Sequence, residues 1–392
     1  MSKIPSSNSV KNISPKNTNS RTQIHVLHVA ETTHGGIEAY WQEIAQNKPK
    51  STKIDLKQSF LYPQIAQNHP KLSTIDQNCA QLTFPNTGRG LKKCWHLARA
   101  LRHTITTQPI DIIHLHSTFA GLIGRLTLLT TRQRPKIIYC PHGWAFNMPN
   151  NSIKTYIYAT IERLLTPLTH AIIAISEYEL KTAKTKKINP KKLHLIPNAI
   201  NLKMPTPKPK KWDKNKINLL FVGRFHPAKG ADILAELTHL AAAKNTNLYF
   251  HIVGGSQAKN EAEPIVFNHK NTTQHGWIDR NNIAPYYAAA DAIIIPSRWE
   301  AFSLVALEAM RTKKPIFVSP HGALPNFIAD NKNGIILPLN NLEESLQIIT
   351  NIPPHSLAKM GLENYKIFQE NYTSDKLHKS LTDLYLTVLK LC

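Results

Sequence analysis

Pro296-Ser-Arg-Trp-Glu-Ala-Phe-Ser-Leu-Val-Ala-Leu-Glu-Ala-Met310 decides the reading of this chain. The residues just before it, Asp291-Ala-Ile-Ile-Ile295, form a short, apolar, β-branched run of the kind that makes a buried strand. Ser303 to Lys313 is rich in Leu, Ala, Glu, Met and Arg and reads as a helix. A strand that turns sharply into a helix leaves backbone N–H groups aimed at the crevice above the sheet. Those donors, with the positive end of the helix dipole, favour a diphosphate. Glu300 sits in the turn and Glu308 about two turns into the helix, so the two carboxylates cannot form a side-by-side acid pair. One reaches a group at the helix mouth and the other a hydroxyl further along. That geometry suits a nucleotide carrying a sugar on its diphosphate.

Glu300-x7-Glu308, with Phe302 and Leu304 between, resembles the E-x7-E signature of family 4 glycosyltransferases (glycosyltransferase group 1), retaining enzymes of the GT-B fold. Ala301 and Ser303 depart slightly from the pattern, standing where glycine is common.

Composition sets the outer limits. A chain of 392 residues is long enough for two domains. No stretch approaches the roughly 20 apolar residues of a membrane span, and the N-terminus has no apolar signal core, so a cytoplasmic location is expected. Cys79, Cys94, Cys140 and Cys392 are scattered with no C-x-x-C pair, which points to a reducing compartment and no structural zinc. The net charge of +23 is uneven: residues 1–200 hold 26 Lys and Arg against 9 Asp and Glu, residues 201–392 hold 22 against 16. A basic first half admits nucleic acid, an anionic membrane surface or a phosphorylated acceptor as partner.

Residues 1–22 are nearly devoid of apolar side chains and read as a disordered tail. Ile24 to Ala30 is the first strand of a domain expected over 23–200, and it runs into Gly35-Gly36 and a helix. This is not G-x-G-x-x-G, which removes the best evidence for a dinucleotide oxidoreductase. It resembles the family's G-G-x-E turn, whose loop faces donor and acceptor. Residues 51–87 give mixed signals. Gly90 to Thr106 reads as a helix whose stripe Leu91, Trp95, Ala98 and Leu101 is expected in the core. Arg89, Lys92, Lys93, Arg99 and Arg102 surround that stripe with no acid among them, and the alternative is a helix lying on anionic lipid. Asp111 to His116 is a strand with His114 and His116 on one face; with no third ligand in view they read as hydrogen-bonding groups, not a metal site. Lys136 to Pro141 is the next strand, and His142-Gly143 places an imidazole at the carboxyl edge of the sheet. Ser176 is a candidate helix cap, and the six lysines from Lys181 to Lys192 read as a solvated face. Ile196-Pro-Asn-Ala-Ile200 resembles the family's P-N-G-I/V turn, with Ala199 in place of glycine.

Residues 201–215, with Pro205, Pro207 and Pro209, break both periodicities and read as an interdomain linker. A second domain is expected over 216–372. Its first strand leads into Gly223-Arg224-Phe-His-Pro-Ala-Lys229-Gly230, where two cations five apart can converge on one oxyanion. This resembles the family's G-R-L-x-x-x-K-G loop, whose cations hold the donor diphosphate. Tyr249 to Val253 ends in Gly254-Gly255, and residues 373–392 read as a terminal helix. Strands alternate with helices through both halves, which predicts an α/β protein of two Rossmann-like, doubly wound parallel sheets facing a cleft.

The resemblance runs from about residue 24 to the end, with matched motifs in family order. It implies a retaining hexosyltransferase using a nucleotide diphosphate sugar, UDP-sugar above all, and a glycan or lipid-linked acceptor, as in lipopolysaccharide, capsule or O-antigen synthesis. It implies that Arg224 and Lys229 hold the diphosphate with the N–H groups of Phe302, Ser303 and Leu304, and that Glu308 binds the ribose. Trp277 and Ile278 would flank the base, Gly35, Gly36 and Gly254 would let the donor approach, and Glu300 and His142 would orient the hexose. No metal or other cofactor is expected, and no Asp-x-Asp triplet occurs. The rivals are an epimerase of the same shape and, from charge alone, a nucleic-acid-binding protein. Against the latter, the basic residues are not interleaved with a stacking platform, so no nucleic acid partner is expected.

Overall fold

The computed structural model describes residues 22–33, 35–46, 54–64, 79–88, 90–148, 151–203, 207–255, 265, 267, 269–329 and 332–391. The expected tail therefore lies, but for Thr22, outside the described residues, as do Arg89 and Cys392.

The first sheet has seven parallel strands: β1 (Thr22–Ala30), β2 (Ile54–Pro63), β3 (Ala80–Phe84), β4 (Ile112–His116), β5 (Lys136–Cys140), β6 (Ala171–Ala174) and β7 (Leu193–Leu195). Their spatial order is β3-β2-β1-β4-β5-β6-β7. Every residue of β4 and β6 is buried, as strands covered on both faces must be. The mixed signals of residues 51–87 hide β2 and β3, because Lys57, Gln58 and Ser59 interrupt the apolar run of β2.

Helix α1 (Gly36–Gln46) covers one face of this sheet. The opposite face carries α2 (Leu91–Thr107), α3 (Thr118–Leu129), α4 (Ser152–Leu165) and α5 (Glu177–Thr185). Connections that run leftward from β1 and rightward from β3 onward place their helices on opposite faces when every crossover is right-handed.

The stripe expected to bury α2 does so at Leu101 and in part at Ala98, but not at its start. Leu91 is 90% and Trp95 55% exposed, and the core side is Leu97, Leu101, Thr104 and Ile105. Two apolar stripes share the helix, and the one containing Leu97 docks on the sheet. Nor is the lysine run all solvated. Lys192 Nζ donates to the carbonyls of Thr166, Pro167 and Thr169 at 2.9, 3.1 and 2.6 Å, tying down the chain where α4 ends.

The second sheet has six parallel strands: β8 (Ile217–Val222), β9 (Leu248–Val253), β10 (Thr272–Gly276), β11 (Ala292–Ile295), β12 (Ile316–Val318) and β13 (Gly334–Ile336), in the order β10-β9-β8-β11-β12-β13. Helices α6 (Ala231–Ala243) and α9 (Leu342–Thr350) cover one face; α7 (Ala284–Ala289), α8 (Leu304–Arg311) and α10 (Pro354–Asn371) cover the other. Of the segment between the sheets, Trp212 stacks on His251 with centroids 3.5 Å apart, so this part of the connection lies against the second domain.

The C-terminal segment also joins the two domains. Ile200 pairs with the segment before α11 (Ser374–Leu389): its N–H donates to Tyr372 at 3.1 Å and its carbonyl accepts from Ser374 at 3.3 Å. Helix α11 then packs Leu377, Leu381, Leu384 and Tyr385 into the same apolar cluster as Trp41 and Ile44 of α1. A helix that follows the second domain in sequence thus completes the core of the first.

Candidate active site

In each sheet the strand order reverses beside the first strand, between β1 and β4 and between β8 and β11. Loops leaving the carboxyl ends of such strands diverge and open a crevice. In the second sheet those loops carry Arg224 and Lys229 after β8, and Glu300 before α8.

Glycines lock these loops together. A Cβ on Gly230, whose φ is +67°, would lie 2.1 Å from the Pro296 carbonyl oxygen. One on Gly254 (φ +140°) would lie 1.8 Å from the Gly223 carbonyl oxygen. Only glycine tolerates both the backbone and the approach. Arg298 N–H donates to the Ala228 carbonyl at 2.9 Å, adding a direct bond between the two loops.

Lys229 Nζ donates to Glu300 Oε1 at 2.5 Å, and Ser297 Oγ donates to the same oxygen at 3.1 Å. Glu300 is 6% exposed. Arg224 is exposed at the mouth of the same loop. Ser303 caps α8 by accepting the Ala306 N–H at 3.3 Å. Phe302 is anchored edge-on to Phe327 and Tyr372, with centroids 5.2 and 6.0 Å away, which fixes the path of the turn.

Glu308 has partners of its own. Its Oε2 accepts from Tyr287 Oη at 2.8 Å and its Oε1 from Arg280 Nε at 3.3 Å, and the residue is 8% exposed. Arg280 Nη2 lies 4.0 Å from Glu43 Oε1 on α1, so this group touches the first domain. Trp277, half exposed, and Ile278, packed on the second core, follow β10 on the way to Arg280.

The first domain contributes His142 and Gly143, both with positive φ, at +52° and +122°. A Cβ on Gly143 would lie 3.3 Å from Ala301 Cβ and from Trp299 Cη2, so this turn abuts the Glu300 turn directly. His142 Nε2 is hydrogen-bonded to His116 Nδ1 at 2.9 Å, and His116 Nε2 to His28 Nδ1 at 3.1 Å. Burial pulls His142 and His28 down to about 3, so both rings are neutral at pH 7. The reading of His114 and His116 without a third neighbour is thereby corrected: pairing of β1 with β4 sets His28 opposite His114. Gly35 (φ +77°) and Gly36 border open space, where a Cβ would meet nothing within 4 Å.

Several residues here escape the sequence reading. Glu179 accepts the Trp144 N–H at 3.0 Å and the Ile175 N–H at 3.3 Å, holding the His142-Gly143 turn against β6. Burial pushes its carboxyl up to about 7. The Ser176-x-x-Glu179 spacing is a capping-box pattern, and Ser176 Oγ does accept the Glu179 N–H at 3.2 Å. The glutamate, however, reaches to the neighbouring loop. Ser297, Arg280 and Tyr287 carry no local signal, since only the fold brings them to the two glutamates. A separate concavity, lined in part by Lys214, Asn247 and Asp291, opens at the opposite edge of the second sheet, where its strands begin.

Comparison with known proteins adds a family. Residues 63–204 match glycosyltransferase family 4, and residues 205–353 match glycosyl transferases group 1. An uncharacterized 41.2 kDa protein in the cps region of Klebsiella pneumoniae is 31% identical over 94% of this chain and 99% of its own length. An Escherichia coli protein named UDP-Gal:alpha-D-GlcNAc-diphosphoundecaprenol alpha-1,3-galactosyltransferase is 23% identical over 74% of this chain and 79% of its own. Among solved structures, Anabaena Alr3699/HepE in complex with UDP-glucose superposes with a TM-score of 0.72 at 16% identity, over 93% of this chain and 100% of that one. Two parallel-sheet domains of the GT-B kind and matches along both halves agree: the chain belongs to the group 1 glycosyltransferases, with family 4 character in its first domain.

Proposed function

We propose that this protein moves a hexose or N-acetylhexosamine from a UDP-sugar to a hydroxyl of a membrane-associated glycan, with retention of anomeric configuration, in the synthesis of a cell-surface polysaccharide or lipopolysaccharide. The observation that carries the reading is the Lys229–Glu300 pair, set at the crevice of the second sheet and abutted by the His142-Gly143 turn. The name of the Escherichia coli relative, with its UDP-galactose donor and diphosphoundecaprenol-linked acceptor, supports the donor and acceptor classes.

In this reading the bond between the anomeric carbon and the diphosphate oxygen breaks, and a bond from the acceptor oxygen to the same carbon forms on the same face. The acceptor proton passes to the departing phosphate oxygen. Arg224, Lys229 and the N–H groups of Phe302, Ser303 and Leu304 stabilise the charge that develops on the diphosphate. Glu308 takes the ribose hydroxyls, Trp277 and Ile278 flank the base, and Glu300 and His142 orient the hexose. Gly35, Gly36 and Gly254 leave room for the donor. The cations supply the charge that a divalent ion supplies in other transferases.

The acceptor side is read from the outer layer of the first domain. Leu91, Trp95, Phe119, Leu126, Ile153 and Leu164 are exposed on α2, α3 and α4, among basic residues. Such a face suits an anionic bilayer bearing the acceptor. None of the described helices is long and apolar enough to cross a membrane.

Thermal unfolding with UDP-, GDP- and ADP-sugars, for the wild type and Glu308→Ala, tests the donor site. A ligand held only by the native state adds about 2.7 kcal/mol at a hundredfold excess over its Kd. The expected result is a shift with UDP-sugars that Glu308→Ala abolishes. No shift with any nucleotide sugar at millimolar concentration overturns the reading.

A further inference from the structure

Three hydrogen-bonded imidazoles lead from the interior of the first sheet to the cleft. Parallel pairing sets His28 of β1 opposite His114 of β4, and His116 opposite Cys140 at the end of β5. Alternate residues of a strand share a face, so His114 and His116 project together. Aromatic rings enclose them: Phe60 stacks on His28 at 4.9 Å, Trp41 meets His116 edge-on at 5.6 Å, and Tyr40 meets His142 edge-on at 4.9 Å. From His28 the bonds run through His116 to His142 at 3.1 and 2.9 Å. His114 stacks on His116 at 4.2 Å and bonds Tyr385 Oη at 3.0 Å, which brings α11 into the same group.

A neutral imidazole donates from one nitrogen and accepts at the other. In a run of three, the tautomer of one ring dictates that of the next. His142 has committed its Nε2 to His116, so Nδ1 is its only nitrogen left to bond elsewhere. Its backbone sits at φ +52°, in the left-handed region that few residues other than glycine adopt.

We propose that His116, backed by His28, is a positioning residue: it fixes the ring orientation and tautomer of His142, and so whether Nδ1 meets a sugar hydroxyl as donor or as acceptor. The inference rests on the reading of His142 as the imidazole that meets the transferred hexose. Outer partners of a functional histidine fix its tautomer in this way in metal sites, and the same logic holds for a ring that binds a hydroxyl.

A metal ion is the competing use of the cluster, since His28, His114 and His116 offer ligand atoms within 4.8 Å of one another. Ligating rings aim their lone pairs at a single point. Here His114 and His116 lie nearly parallel, at 27°, and both nitrogens of His116 are already bonded. The geometry favours a chain of hydrogen bonds.

Full-length protein labelled with ¹⁵N-histidine tests this by NMR, through the tautomer of His142 in the wild type, His116→Asn and His116→Leu. Asparagine keeps a hydrogen-bonding group near the position of Nδ1; leucine does not. We expect a single tautomer in the wild type and His116→Asn, and a mixture in His116→Leu. Turnover in His116→Leu should fall by up to about 100-fold with KM for the nucleotide sugar nearly unchanged, and His116→Asn should recover most of it. Should His116→Leu not fold, His28→Phe removes the far end of the chain and should also mix the tautomers. An unaltered His142 spectrum in the folded leucine variant (or in His28→Phe, where that stands in), an asparagine variant as slow as leucine, or a stoichiometric bound metal ion in the purified wild type would each overturn the proposal. The NMR arm is read without substrate. Failure of the transferase reading shows separately, as a wild type that no nucleotide sugar stabilises.

Discussion

Lys229 and Glu300 neutralise one another across the second-domain crevice, Nζ to Oε1 at 2.5 Å, with Ser297 on the same carboxylate oxygen. If Lys229 holds the donor diphosphate, that group must compete with Glu300 for the lysine, or share it. Glu300→Gln releases the cation, so UDP alone should bind several-fold more tightly, while turnover should fall if this carboxylate orients the hexose. Lys229→Met should weaken UDP by about 1.5–3 kcal/mol, the worth of a charged hydrogen bond. Calorimetric titration with UDP checks both. Weaker UDP binding in Glu300→Gln would mean that the pair acts as a unit and that the competition does not exist.

Glu308 is preset by Tyr287 and Arg280, and Arg280 in turn lies 4.0 Å from Glu43 of the first domain. Tyr287→Phe leaves one oxygen of a buried carboxylate without its donor, at a cost of about 1–3 kcal/mol in stability. If that carboxylate holds the ribose, the same variant should weaken UDP about tenfold, equivalent to roughly 1.4 kcal/mol. Unchanged UDP affinity in a destabilised Tyr287→Phe would remove Glu308 from the nucleotide site.

How much of this was legible in the sequence depends on what each feature rests on. β11 and α8 could be read because Ala292–Ile295 is uniformly apolar and Ser303 to Lys313 is rich in helix-forming residues, both local properties. Glu300, Lys229 and Arg224 could be named because they lie on loops of recognisable pattern. The pairing of Lys229 with Glu300 could not, since it depends on how far the loops after β8 and β11 lean together. The aspect of α2 is only half legible, because its sequence offers two apolar stripes that meet at Leu101, and only the sheet decides which is used. His28 was missed as a neighbour of His114 because a parallel register joins residues 86 apart in sequence, with nothing nearby to announce it.

Gly254 tests the close approach of the loops after β8 and β9. Gly254→Ala brings a Cβ within 1.8 Å of the Gly223 carbonyl oxygen at φ +140°, and something must shift. A loss of about 3 kcal/mol is expected, together with loss of nucleotide-induced stabilisation as Arg224 moves. Gly36→Ala is the control on the other side, where a Cβ meets nothing. It should change stability by no more than about 0.5 kcal/mol, yet impair donor binding if the loop lines the donor site. Chemical denaturation with and without UDP-sugar separates the two effects.

The face of α2, α3 and α4 carries a prediction about membranes. From residue 90 to 170 the only acids are Asp111 and Glu162, and Glu162 is buried against Arg125 at 2.8 Å. Arg99 lies over the Trp95 ring at 5.4 Å, an amphipathic pair at the surface. Vesicles rich in phosphatidylglycerol should bind the protein, and phosphatidylcholine vesicles should not. Arg99→Gln with Arg102→Gln should weaken partitioning by about 2 kcal/mol, at roughly 1 kcal/mol per charge, and added salt should act in the same direction. Equal binding to both vesicle types, or none to either, would leave this surface without a lipid role.

Acid lability follows from the buried imidazoles. His28 and His142 are pulled down to about 3 by burial, and His114 and His116 lie well below their ordinary value for the same reason. Between about pH 3 and 6.5 the native state then binds fewer protons than the unfolded chain, so stability rises with pH and is lost as pH falls. Each imidazole contributes up to about 1.4 kcal/mol per pH unit in that window. Glu179 works in the opposite sense: raised to about 7, it holds a proton in the native state that the unfolded chain has lost, and it lowers stability as pH rises from about 4.5 to 7. Burial also lowers His25, His170, His194, His251, His275 and His378 and raises Glu31 and Glu43, so the imidazoles outnumber the carboxyls and the net slope from pH 4.5 to 6.5 is positive. Urea unfolding across that range should show it, and His28→Phe, which keeps a ring beside Phe60, should flatten the slope by about one imidazole's share. A slope that His28→Phe leaves unchanged would mean that His28 titrates alike in the folded and unfolded chain.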